Sequence, residues 1–186
     1  IPLSLTQILL FLANPIGSAA MSRMPLALES LAVWPVAGSV GYITRAFGGS
    51  YNEVVVALIE ERRATPALRR FAVAVAVGST AVLGILMIPP VADAVFVGVL
   101  NLADPLPDMA RKTLFAFLPL PAVSVAASYF QGVILHSRRT RSITESVALF
   151  LAFVSAILVV GTIWDPVTGL YFAAIAFTVG ELLRVV

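Results

Sequence analysis

The stretch TLFAFLPLPAVSVAASYFQGVILHS, residues 113–137, contains no Asp, Glu, Lys or Arg. A helix rises about 1.5 Å per residue, so about 20 mainly apolar residues cross a hydrocarbon core roughly 30 Å thick. This run is long enough to do so. Five other uncharged runs flank it, at residues 1–22, 30–44, 71–92, 146–164 and 166–180. Whole-chain composition agrees: 60% of residues are hydrophobic and 12% charged, with a mean hydropathy of +1.00. A soluble domain carries about 25% charged residues, so this chain lacks the charge to solvate a surface in water. The expected fold is an all-α polytopic membrane protein.

The runs predict six spans in a single lobe over residues 1–186, at 2–21, 28–59, 71–88, 109–135, 142–164 and 167–184. Span one carries Asn14 and Pro15 near its centre. Span two is too long for one crossing, about 48 Å as a continuous helix; it either projects beyond the core or breaks at Gly48 and Gly49, where helix propensity is poorest. Pro89 and Pro90 end span three, and 91–100 is expected as a short interfacial helix and loop. Pro119 and Pro121 in span four each remove a backbone donor and clash with the preceding turn, which predicts a kink that can act as a hinge. The chain opens at Ile1 inside an apolar run and stops at Val186 with no polar tail, so it is expected to be part of a longer protein.

Basic residues set the expected orientation. Arg62, Arg63, Arg69, Arg70, Arg138, Arg139, Arg141 and Arg184 fall on one side; Arg23, Arg111 and Lys112 fall on the other. Lys and Arg favour the cytoplasmic side. Both ends are therefore expected in the cytoplasm, in a multi-pass protein of the inner membrane, with Trp164 anchoring the outer interface.

The chemistry is narrowed by what is missing. There is no cysteine, and His136 is the only histidine, which removes disulfides, thiolate nucleophiles and two-histidine zinc motifs. No metal site, no cofactor and no enzymatic activity are expected. A lone histidine in an arginine-rich loop does not activate Ser50, so Gly48, Gly49 and Ser50 read as a helix break. The arginines sit between apolar runs without interleaved aromatics, so no nucleic acid is expected as a partner.

Ionisable and amide groups at membrane depth are the candidates for function. Arg45 and Glu53 lie on span two, separated in a continuous helix by about 80° and about 12 Å, so they would not pair directly. Asn14, Asn52 and Gln131 add amides that either line a cavity or bond a neighbouring helix. Glu181, with Gly180, interrupts the last apolar helix before Arg184.

Three segments carry a family resemblance: LANPIGSAAMSR (12–23), FLPLPAVSVAASYFQGVILHSRRT (117–140) and TVGELL (178–183). TRAFGGSYNEVVVAL (44–58) corresponds more loosely. Together with the layout of six spans, the chain resembles one lobe of the multidrug and toxin extrusion (MATE) superfamily, and within it the carboxy-terminal half of the progressive ankylosis family. The resemblance implies two six-helix lobes around a central cavity, alternating access, and export of a small organic or phosphate-bearing anion, with the bilayer and a second lobe as partners. It leaves room for a lipid-linked oligosaccharide flippase or a multidrug exporter; a non-transporting scaffold is the reading outside transport. Some superfamily members carry a coupling carboxylate in the first span of the amino-terminal lobe. The first span here has none, and a coupling proton or sodium ion both stay open. The cavity-lining candidates are Asn14, Arg45, Asn52, Glu53 and Gln131, with Pro119 and Pro121 as the hinge.

Overall fold

The computed structural model describes residues 2–58, 65–136, 141–164 and 168–184. Among them all regular structure is helical. The helices are α1 (Pro2–Met21), α2 (Ala27–Gly49), α3 (Tyr51–Leu58), α4 (Thr65–Leu86), α5 (Pro89–Asp93), a π-helical turn (Ala94–Val99), α6 (Leu106–Phe117), α7 (Leu120–His136), α8 (Arg141–Trp164) and α9 (Gly169–Leu183). Arg62, Arg63, Arg138, Arg139 and Asp165, on which part of the topology reading rests, lie outside the described residues.

Among the described residues, three stretches of helix are long and apolar enough to cross a membrane: Pro66–Leu86, Leu106–Ile134 taken through its interruption, and Ile143–Trp164. Ile8–Met21, Pro89–Val99 and Gly169–Leu183 are apolar but shorter. The described residues thus form the helical part of a membrane protein. Its outer surface fits that solvent, since Phe11, Leu28, Leu149, Ile163 and Trp164 are all at least 70% exposed. So many exposed large apolar side chains would drive association in water.

Several boundaries follow from local chemistry. Pro66 sits in the first turn of α4, where its missing N–H is not needed. Pro89 and Pro90 force Ile88 into an extended conformation at φ −66° and ψ 126°, as a following proline requires, and that ends the helical path of α4. The expected interfacial segment is α5 and the π-helical turn, which turns Phe96 into the core at 1% exposure. In span two the interruption falls at Ser50, just after Gly48 and Gly49, which close α2. Ser50 keeps a right-handed φ and ψ and donates its N–H to Ala46 O, so the interruption between α2 and α3 is confined to one residue. Span four begins at Leu106 and divides at Leu118–Pro119 into α6 and α7, next to the expected prolines. Helix α1 runs through Pro15.

The helices pack around α2 and α7. Helix α2 meets α7, α6 and α4; α7 meets α3 and α4; α1 lies against α8, and α9 against α8 and α6. The main core gathers Val33, Trp34, Leu83, Leu114, Leu158 and Leu170. A smaller cluster of Tyr51, Val55, Leu68 and Val125 joins α3, α4 and α7, where the Tyr51 hydroxyl donates to Leu68 O at 2.9 Å. With no hydrophobic effect between lipid-facing surfaces, close backbone approach has to hold such helices together. Gly132 supplies it: a Cβ there would lie 2.8 Å from Val55 Cβ and 3.1 Å from Asn52 O.

Val55 is β-branched and cannot rotate away at small cost, and the Asn52 carbonyl is backbone. Gly132→Ala is therefore expected to lower the melting temperature in detergent through a steric loss of about 1–3 kcal/mol, despite alanine's better helix propensity. Gly84 on α4 has nothing within 4 Å of a new Cβ, so Gly84→Ala is expected to hold or raise it. The reverse order in a thermal melt would contradict the close α3–α7 seam.

Candidate functional site

Helix α9 follows the turn at Thr168, and its apolar stripe falls at helical spacing. Leu170, Ala174, Thr178 and Glu181 share one face and all are buried. Packing that stripe against the bundle takes the Glu181 carboxylate inside with it. Two bonds set the start of α9 beside the start of α2: Gly169 N–H donates to Pro25 O at 3.4 Å, and Leu170 N–H to Ser30 Oγ at 3.3 Å. Between them the chain turns at Leu26, whose φ of 55° is left-handed and which is held there by its neighbours against an intrinsic steric cost.

At their other ends α2 and α9 meet again through charge. Arg45 Nη2 donates to Glu181 Oε1 at 2.6 Å, and Arg184 Nη1 donates to Glu181 Oε2 at 3.3 Å. The two helices therefore run in the same direction, tied at both ends. Glu181 lies 12 residues beyond Gly169, about 18 Å along the axis. The Glu181 side chain is 7% exposed, Arg184 11% and Arg45 34%. One carboxylate between two guanidiniums leaves a net charge of +1 in an apolar bundle. Arg184 Nε is buried and has no partner among the described residues.

Helix α7 and the end of α6 brace the cluster. Ser124 Oγ donates to the carbonyl of Arg45 at 3.2 Å, which fixes the C-terminal part of α2 against α7. Thr178 Oγ1, one turn before Glu181, lies 2.8 Å from both Ala116 O and its own helix's Ala174 O, and its one proton is shared between them. The last carbonyls of a helix lack intrahelical donors, so the interruption at Leu118–Pro119 makes Ala116 O available to a side chain of α9. Gly180 has a close-contact role as well, because a Cβ there would lie 2.5 Å from Val154 Cγ2 and 2.9 Å from Phe150 Cε2. That contact seats the end of α9 on α8 and keeps Glu181 inside.

The sequence candidates divide accordingly. Arg45, Asn52 and Gln131 are half-buried along the seam of α2 and α3 with α7, and Glu53 is exposed on α3. Asn14 is exposed on α1, which packs against α8 rather than on that seam. Pro119 is exposed at the α6–α7 interruption and Pro121 is buried in the first turn of α7. Arg45 has its carboxylate partner on another helix, 136 residues away, as Glu181. Glu181 and Arg184 were not among the cavity candidates. Their signal was the stripe 170, 174, 178, 181 with an arginine three residues on. Comparison with protein-family models, with curated proteins and with solved structures finds no match to this chain.

Charge bookkeeping orders the variants. Removing one partner of a buried pair costs roughly 3–5 kcal/mol because the other charge is stranded. Glu181→Gln strands two guanidiniums facing each other, whereas Arg45→Gln leaves Glu181 still paired with Arg184. In thermal melts of the full-length protein, Glu181→Gln is expected to be destabilised more than Arg45→Gln, whose loss is also reduced by the exposure of Arg45. Equal losses, or none, would contradict the shared-carboxylate arrangement.

Proposed function

We propose that this chain is one six-helix lobe of a MATE-like secondary transporter, which moves a small organic or phosphate-bearing anion out across the inner membrane by alternating access. In this reading both ends of the lobe are cytoplasmic, and a second lobe completes the cavity. The observation that carries it is Arg45. It is a permanent cation inside an apolar bundle, tied to a buried carboxylate, yet with a third of its side chain exposed. Its contact with Glu181 uses one donor, at Nη2. The donors that stay open are offered to a second anion, in a fork suited to carboxylate or phosphate.

Two interruptions near Arg45 support the reading. The α2–α3 break at Ser50 and the α6–α7 break at Leu118–Pro119 flank the bond from Ser124 to Arg45 O. Discontinuous helices are where secondary transporters hold substrates and where their halves shift. Pro119 and Pro121 are the hinge in this scheme, letting α7 move with the C-terminal part of α2. Asn52 and Gln131 on the same seam orient polar groups of the substrate.

The test is transport by the full-length protein in proteoliposomes, with labelled inorganic phosphate and a panel of labelled mono- and dicarboxylates. Arg45→Gln is expected to reduce anion flux at least tenfold at equal membrane abundance. Arg45→Lys should recover part of it, because charge is kept while the bidentate geometry is lost. Wild-type flux in Arg45→Gln would remove Arg45 from the substrate site, and no anion flux in the wild-type protein would sink the transport proposal and favour a scaffold.

A further inference from the structure

We infer that Glu181 is a resident anion that occupies the Arg45 fork until a diffusible singly charged carboxylate or phosphate replaces it, with Arg184 retaining the displaced carboxylate. The inference rests on the reading of Arg45 as an anion site and adds how that site is filled when empty and emptied when filled.

Four observations carry it. First, the Arg45–Glu181 contact is one-pointed: Nη2 meets Oε1 at 2.6 Å, while the second carboxylate oxygen is directed to Arg184. A free carboxylate or phosphate can take two parallel N–H donors of the guanidinium, the stronger arrangement. The tethered carboxylate thus competes by proximity and not by geometry. Second, accessibility is lopsided. Arg45 is 34% exposed and Glu181 7%, so the guanidinium is the member of the pair with surface left for a second group to contact.

Third, the displaced carboxylate has somewhere to go. Stranding a buried charge is what makes breaking such pairs costly. Here the Arg184 contact is at 3.3 Å, longer than the roughly 2.7–2.9 Å of a tight charge-assisted bond, and Arg184 Nε is buried without a partner among the described residues. When Glu181 leaves Arg45, the Arg184 contact at Nη1 has room to shorten, and the carboxylate keeps a cation beside it. Fourth, the charge balances. Two guanidiniums and one carboxylate leave +1, so one added negative charge brings the cluster to neutrality, the state an apolar interior favours.

The exchange has a mechanical consequence. The starts of α2 and α9 stay joined through Pro25–Gly169 and Ser30–Leu170, while their C-terminal ends are held by the pair that the anion would break. Occupancy then frees the end of α9 to pivot about its start, which couples binding to a change in the lobe. Arg184 is a positioning residue in this scheme and makes no contact with the anion.

The experiment is a titration of the purified full-length protein, at a mildly acidic pH where inorganic phosphate is mainly singly charged, with that phosphate and with acetate, followed by calorimetry and by thermal shift. Removing the internal competitor in Glu181→Gln is expected to tighten the Kd about tenfold, and the anion should raise its melting temperature by more than it raises that of wild type. Arg184→Gln should weaken binding several-fold, because the displaced carboxylate loses its holder. Should Glu181→Gln fail to fold, Glu181→Asp serves instead: the shorter arm reaches Arg45 poorly while keeping its charge, and a smaller tightening is expected. Loss of binding in Arg45→Gln together with unchanged or weaker binding in the Glu181 variant would overturn the exchange and leave Arg45 as an anion site. Unchanged binding in Arg45→Gln, or binding of neither probe by any variant, would overturn both.

Discussion

A carboxylate that enters an apolar interior must find cations or lose its charge. Glu181 meets this constraint with two arginines, one from α2 and one from the end of its own helix. Much of the arrangement around it depends on that need. The starts of α2 and α9 are joined by backbone and serine bonds, their ends by charge, and the apolar contact of Trp34 with Phe177 lies between, with ring centroids 5.2 Å apart. Take away the ion pair and, among the described residues, the later halves of the two helices depend on such apolar contacts.

Small residues and interruptions make the charge cluster buildable. Gly180 lets α9 settle on α8, which brings Glu181 deep enough to meet Arg45. Gly132 lets α7 close on α3, which holds the segment after Ser50 against the bundle. The Leu118–Pro119 interruption releases a carbonyl for Thr178, one turn from Glu181. Backbone bonds exchanged between helices in this way satisfy groups that lipid cannot solvate. The same places are those where the bundle can change shape, because they are where regular intrahelical bonding already stops.

Much of the helical layout was legible in the charge gaps of the sequence, since helices in lipid are bounded by the residues that lipid rejects. The Pro89–Pro90 stop and the Pro119–Pro121 interruption were legible for a local reason: each proline acts on its own turn. The long second span was readable as too long, but whether Gly48–Gly49 would break it was not; the outcome is a one-residue interruption at Ser50, directly after the two glycines. Arg45 was legible as a cation within a span. Its partner was not, because spacing along one helix reports only on Glu53, while Glu181 arrives from 136 residues away through the packing of α9. Three of the six expected spans meet the length and composition for crossing among the described residues; α9, at 15 residues, is about 22 Å long and carries the buried charge near its C-terminal end.

The central claim is that Arg45 and Glu181 act on each other directly. A double-mutant cycle on thermodynamic stability addresses it, with Arg45→Gln, Glu181→Gln and the double variant unfolded under one set of conditions in the full-length protein with Arg184 intact. The double variant is expected to lose less than the sum of the two single losses, with a coupling of about 1–3 kcal/mol. Losses that add within about 0.5 kcal/mol would contradict the pair as the constraint that joins α2 to α9.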